Sequence, residues 1–154
     1  MDKILSLLQQ LEANIPQSEK VKNAVSQSSV GWHIQHSLLV IRRIASNLEK
    51  SDPATYKWKF NRSRSFVFLF NKIPRGKAKA PKPVQPGELL APAALLEEIQ
   101  LTKAKLQVLD SLHQNSNFEH PYLGLLNLKA TRKFLFIHTK HHVKIIADIL
   151  KGRG

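Results

Sequence analysis

One stretch of this 154-residue chain decides its fold: residues 134–142, which read FLFIHTKHH. Placed on a helix at about 100° per residue, His138 and His142 lie about 40° apart on a side that is otherwise apolar. Four lysines cluster on the opposite side, namely Lys133, Lys140, Lys144 and Lys151. The stretch therefore predicts a helix whose core-facing stripe carries two imidazoles, one turn apart.

The same spacing of apolar residues predicts four long helices along the chain. The helix that contains the opening stretch spans about residues 127–150, with Asn127 as its cap. The others span about residues 2–14, the segment from the Ser28-Ser29 cap candidates to Lys50, and the segment from Pro92 towards Leu112. At this length the helices are expected to form one domain over residues 1–154.

A long crossover, residues 53–90, separates the second helix from the third. It is basic and rich in proline, with no acidic residue between Asp52 and Glu88. Its aromatic run, FVFLF at residues 66–70, fits a short helix or a buried strand, and a helix is favoured because no partner strand is evident. These elements predict an all-α fold, a four-helix bundle with a long crossover between helices 2 and 3.

The composition restricts both chemistry and partners. The chain has 24 Lys and Arg against 11 Asp and Glu, a formal charge of +13, which favours anionic partners. It has no cysteine, so any metal ion must sit on nitrogen or oxygen ligands. The N-terminus lacks the apolar core of a signal peptide, and no stretch reaches the roughly 18 apolar residues of a membrane span. We therefore expect a cytoplasmic protein with no membrane partner.

Histidines on the core face point to a divalent metal site. Burying two imidazoles without partners costs on the order of 1–3 kcal/mol each, so His138 and His142 indicate either a bound metal or a metal-free polar network. The second helix offers a third ligand, and spacing alone leaves His33 and His36 both open. A zinc-protease motif is excluded, because Thr139 stands where that motif carries its catalytic Glu.

The sequence resembles the DinB/YfiT-like superfamily of metal-dependent four-helix-bundle proteins over nearly its whole length. Four segments carry the resemblance: SVGWHIQH at 29–36, PRGK at 74–77, HPYLG at 120–124 and HTKHH at 138–142. It implies a three-histidine site of His36, His138 and His142, and so selects His36 over His33. It also implies nickel or zinc as the metal, a homodimer, and relatives that transfer thiols to electrophiles. One departure is Val143, since many relatives carry a Gly-Gln pair after the last ligand.

Two main functions are therefore predicted. A metal-dependent hydrolase or thiol S-transferase would act on a small anionic or thiol substrate at open positions of the ion. His33, Arg43, His120 and His141 are candidates to support the ligands or hold the substrate, and each also has a purely structural interpretation. The alternative is a nucleic-acid-binding protein, because cations and aromatics alternate in YKWKFNRSRSF at 56–66, unless those aromatics pack the crossover onto the helices. A metal-free structural bundle is the third possibility.

Overall fold

A computed structural model describes residues 2–76 and 80–151. Two short antiparallel strands, β1 and β2, form a hairpin between the last two of five α-helices in these ranges. The elements, in chain order, are α1 (Asp2–Ala13), α2 (Val30–Lys50), α3 (Arg62–Phe70), α4 (Pro92–Val108), β1 (Asn117–His120), β2 (Gly124–Asn127) and α5 (Leu128–Leu150).

The four long helices lie where the apolar spacing predicted them, and local chemistry explains their ends. The Ser29 hydroxyl accepts a hydrogen bond from the Trp32 amide at 3.1 Å and caps α2. The Asn127 side chain caps α5 in the same way, through the Ala130 amide at 3.0 Å. α4 is shorter than predicted, because the chain tightens into a 3₁₀ turn at Leu109–Ser111.

The prediction of an all-α four-helix bundle was wrong. A fifth helix and the β1–β2 hairpin accompany the long helices, and the hairpin adds to the core by pairing Phe118 with Leu126, both of which are buried. Gly124 follows the turn with φ at +69°, a conformation that other residues rarely adopt. Strands of four residues show too few alternations to be recognised, so the hydrophobic pattern could not reveal this hairpin.

The long helices enclose one apolar core. α2 packs against α4 and α5, while α1 packs against the same two helices. The side chains that are almost completely buried include Leu8, Leu11, Ile34, Leu38, Ile41, Leu48, Leu95, Ile99, Leu106 and Leu135. Each contributes about 1.5–3 kcal/mol by leaving water. Because α2 and α5 are neighbours, polar residues on their facing sides meet inside the protein.

No helix in the described ranges is both long and apolar enough to cross a membrane.

The crossover carries α3, a short helix at the predicted aromatic run. Of its residues only Arg64 and Val67 are buried, whereas Phe66, Leu69 and Phe70 are between 50% and 75% exposed. Arg64 fastens the helix by donating hydrogen bonds to the Leu125 carbonyl at 3.0 Å and to the Lys59 carbonyl. Most of the apolar surface of α3 therefore faces away from the core.

Candidate metal centre

Three histidines from two helices converge in the interior. α5 supplies His138 and His142, one turn apart, and α2 supplies His36. One ring nitrogen from each lies within 4.8 Å of the other two. His36 and His142 are 4% and 7% exposed, and His138 is half-buried. Three imidazoles thus lie close enough to bind one metal ion.

A hydrogen bond to the crossover fixes the ring of His36. Its Nδ1 lies 2.7 Å from the carbonyl oxygen of Val84, which can only accept, so Nδ1 carries a proton and donates it. Its Nε2 therefore keeps a free lone pair in the neutral ring, and this atom lies 3.3 Å from Nε2 of His138. Trp32 stacks on the His36 ring with its centroid 4.9 Å away. The ring is held in place from two sides, with its unprotonated nitrogen directed at His138.

His33 contacts His142 and orients it. The Nδ1 atoms of the two rings are 3.0 Å apart, and Nε2 of His33 lies 3.0 Å from the hydroxyl of Ser26. Because His33 occupies one nitrogen of His142, Nε2 of His142 is the nitrogen left for a ligand. A second ring nitrogen bonded in this way is usual for metal-binding histidines and fixes the ring orientation. Both α2 histidines are thus in the site, His36 in the cluster and His33 behind His142.

The other buried polar atoms of this part of α5 have few partners. Nδ1 of His138 and Oγ1 of Thr139 are buried and have no hydrogen-bond partner among the described residues. The Phe134 ring packs 5.5 Å from the His138 ring and covers it on one side. Among the described residues, His138 therefore makes its polar contact with His36, through Nε2.

Burial keeps the cluster neutral. Desolvation lowers the pKa of His36, although its bond to Val84 acts in the opposite direction. Desolvation lowers the pKa of His138 and His142 well below the usual 6.5, and the neighbouring histidines lower both further. The pKa of His33 falls to about 4 for the same two reasons. Neutral imidazoles present lone pairs, which is the state that a metal ion requires.

Two further side chains of α2 fasten the crossover beside the cluster. Arg43 is exposed and donates a hydrogen bond to the Pro83 carbonyl at 3.2 Å, next to the residue that holds His36. Gln35, which sequence reasoning missed, bonds the carbonyl of Glu88 and the amide of Leu90, each at 3.2 Å. Arg43 thus contacts the crossover and not the histidine cluster. The sequence signal that could have identified Gln35 is its position as a polar residue within the GWHIQH segment.

His141 lies at the edge of the cluster. It is half-buried, and its ring packs edge-on against His142 with centroids 5.2 Å apart. Burial, together with the nearby positive charge of Arg75, lowers its pKa to about 4. It does not belong to the group of three ring nitrogens. It therefore packs against a candidate ligand and faces a neighbouring cleft.

His120 lies at the turn of the hairpin and is separated from the histidine cluster by the ring of Phe134. Its Nδ1 accepts hydrogen bonds from the amides of Tyr122 and Leu123, at 3.1 and 3.2 Å. Its ring packs edge-on against Phe134, which in turn packs against His138. Burial lowers its pKa to about 4. Its observed contacts shape the turn between the strands.

Comparisons with family models, with curated proteins and with solved structures find no match for this chain. The resemblance to the DinB/YfiT-like superfamily therefore remains a prediction, and the candidate site rests on its own geometry.

Proposed function

We propose that this protein is a metal-dependent enzyme of the hydrolase or thiol S-transferase type, with His36, His138 and His142 holding one divalent ion. The observation that carries the proposal is the 3.3 Å separation of the Nε2 atoms of His36 and His138. Two nitrogens bound to zinc at about 2.0–2.1 Å with tetrahedral angles lie roughly 3.3–3.4 Å apart. The two rings already have the spacing that a shared ion needs.

The ligand atoms limit the choice of metal ion. All three candidate ligands are imidazoles, which suit zinc and nickel better than the hard ions magnesium and calcium. Zinc and nickel are accordingly the ions that we propose. The Val84 carbonyl behind His36 and the His33 ring behind His142 are the kind of partners that raise the affinity of such ligands.

Three neutral ligands leave the full charge of the ion uncompensated, so the site favours an anionic or thiolate group at an open position. A bound divalent ion supplies a Lewis acid that lowers the pKa of a coordinated water or thiol. The chain's own contribution is to hold the three rings, to cover one side of His138 with Phe134, and to favour the neutral form of the rings by burial. A small anionic or thiol substrate fits this chemistry.

Elemental analysis of untagged protein tests the proposal. After incubation with zinc or nickel and removal of free ion, we expect about one ion per chain. The double variant His138→Ala/His142→Ala should bind none. His113→Ala is the matched control, because His113 is exposed and its Nδ1 accepts a bond from the nearby Asn115 amide. A metal-free parent overturns the proposal in favour of a metal-free structural role, and an equal metal content in the double variant overturns it by showing that the ion binds elsewhere.

A second candidate function is binding of single-stranded nucleic acid, favoured by one observation. Trp58 and Phe60 are 67% and 68% exposed, so these two rings do not pack the crossover onto the helices. The neighbouring cations Lys57, Lys59 and Arg62 are exposed as well. Exposed rings beside cations can stack on bases while the cations neutralise phosphates.

Binding of labelled oligothymidine at low and high salt tests this second function. We expect affinity to fall steeply with salt, with a slope of about −0.7 per neutralised phosphate. Trp58→Ala/Phe60→Ala should weaken binding, whereas Leu101→Ala, which removes an exposed apolar side chain from α4, should not. Absence of salt-dependent binding, or binding to anionic vesicles alone, rejects a nucleic-acid function.

A further inference from the structure

A cleft of about 710 Å³ lies beside the histidine cluster, between the segment that follows α3 and the outer side of α5. Asn71 ends α3 in the left-handed conformation, with φ at 47°, and turns the chain towards α5. Lys72 and Arg75 line the cleft from this segment, and Lys140 and Lys144 line it from α5. Two separate parts of the chain thus bring four cations to one concave surface.

The positive charge of the cleft is only partly compensated. Among the described residues, Asp148 is the one carboxylate in the lining, and it forms an ion pair with Arg75 at 2.7 Å. Lys72, Lys140 and Lys144 have no carboxylate partner among the described residues. Three lysine side chains therefore line the cleft without a carboxylate partner from the described residues, although the Nζ of Lys140 also lies 5.5 Å from the centroid of the Phe136 ring.

The arrangement of two of these lysines is unfavourable for the helix itself. Lys140 and Lys144 are four residues apart on α5, a spacing at which like charges destabilise a helix by about 0.2–0.5 kcal/mol. A bound anion between them would remove this repulsion and add charge-assisted hydrogen bonds. The two lysines therefore do not stabilise α5, but their spacing is favourable for binding an anionic ligand.

Apart from Asn71 and His141, the remaining lining is apolar. It includes Ile137 of α5, which is buried, and the ring of Phe66 from α3, which is half exposed. Binding sites for small molecules typically combine apolar walls with a few polar groups that fix orientation. This lining matches a ligand with an anionic group and an apolar body, and not a bare inorganic ion.

The cleft adjoins the candidate metal centre. His141 belongs to its lining, and the same ring packs edge-on against His142, 5.2 Å between centroids. We propose that this cleft binds a small organic anion, with its phosphate or carboxylate on the lysines and its apolar part against Phe66 and Ile137. The statement that this anion is the substrate rests on the proposed metal-dependent function. The statement that the cleft binds an anion does not, because the cleft contains no candidate ligand of the metal among its described residues.

Titration of chelator-treated and metal-loaded protein with phenyl phosphate, followed by amide chemical shifts, tests the proposal. We expect saturable shifts at residues 72–75 and 140–144 in both forms. Inorganic phosphate should bind more weakly, because it lacks the apolar body, and benzyl alcohol should bind more weakly, because it lacks the charge. Binding to the metal-free form keeps this inference separate from the metal site, since either can fail alone.

Matched variants of α5 locate the site. Lys140→Gln/Lys144→Gln should weaken phenyl phosphate binding about tenfold, because two charge-assisted contacts are lost. Lys129→Gln/Lys133→Gln removes the same charge at the same spacing on the same helix and should change the affinity less than about twofold. The proposal is overturned if the parent shows no saturable binding, if both double variants lose affinity equally, or if inorganic phosphate binds as tightly as phenyl phosphate.

Discussion

Two pairs of side chains on α5 share one spacing and have opposite chemistry. His138 and His142 are four residues apart on the inner side of the helix, and Lys140 and Lys144 are four residues apart on its outer side. Burial lowers the pKa of both histidines, so their nitrogens offer lone pairs to a cation. The lysines are cationic side chains on the outer side of the helix, so they suit an anion. Sequence spacing sets the distance within each pair, and burial decides which kind of ligand the pair can bind.

The largest effect is expected from removal of one inner ring. His142→Ala should reduce zinc affinity at least about 100-fold, about 2.7 kcal/mol, because one of three ligands is lost. Competition with a chromogenic chelator measures the change, and circular dichroism checks that the variant remains folded. If the variant keeps the parent affinity, the inner pair is not a metal-binding pair and the comparison fails.

A smaller effect is expected at His33, which contacts His142 without belonging to the cluster. His33→Ala should lower zinc affinity about 10–100-fold, because His142 loses the partner that orients it. His33→Gln, which retains hydrogen-bonding atoms, should recover part of the loss. Equal affinities for the parent and both variants would make His33 a packing residue only.

The pH dependence of stability reports on burial directly. The pKa values of His33, His120 and His141 fall to about 4 from the usual 6.5, chiefly through burial. Between these pH values the unfolded chain binds more protons than the folded one, so the free energy of unfolding should fall as the pH is lowered from about 6.5 to about 4. Urea denaturation of chelator-treated protein measures it. If the free energy of unfolding stays constant or increases as the pH is lowered over that interval, the burial of these rings is contradicted.

The smallest effect is expected on the outer side of the same helix. Lys140→Gln/Lys144→Gln should leave zinc affinity unchanged within about twofold and the free energy of unfolding within about 1 kcal/mol, because Lys144 is exposed and Lys140 loses only its contact with the Phe136 ring. The chelator competition and urea denaturation assays serve again. A large loss of zinc affinity would show that the two sides of α5 do not act separately.

Much of this arrangement could be predicted from the sequence, for identifiable reasons. Long amphipathic helices show many repeats of their period, so the extents of α2 and α5 and the inward direction of His138 and His142 could be read from the chain. The hairpin could not, since four-residue strands carry too little pattern. Nor could periodicity choose between His33 and His36, because both face inwards. Their separate positions depend on Val84 and Ser26, which lie outside the long helices.

The cleft was beyond sequence reasoning for a related reason. Lys72 and Lys144 are far apart in the chain, and their segments meet where the chain turns at Asn71 and where Arg75 pairs with Asp148. The exposure of Trp58 and Phe60 was also open, because an aromatic residue in a crossover can pack or face water with the same sequence signature. Local patterns predict elements, whereas contacts between irregular segments and helices require the folded chain.

The central claim is that the inner side of α5, together with α2, holds a metal ion. Crystals of untagged protein grown with zinc, measured on both sides of the zinc absorption edge, test it most directly. We expect a single strong anomalous peak about 2.0–2.1 Å from one ring nitrogen of each of His36, His138 and His142. The absence of a peak among these three rings, or a peak bound only by surface histidines, would contradict the claim.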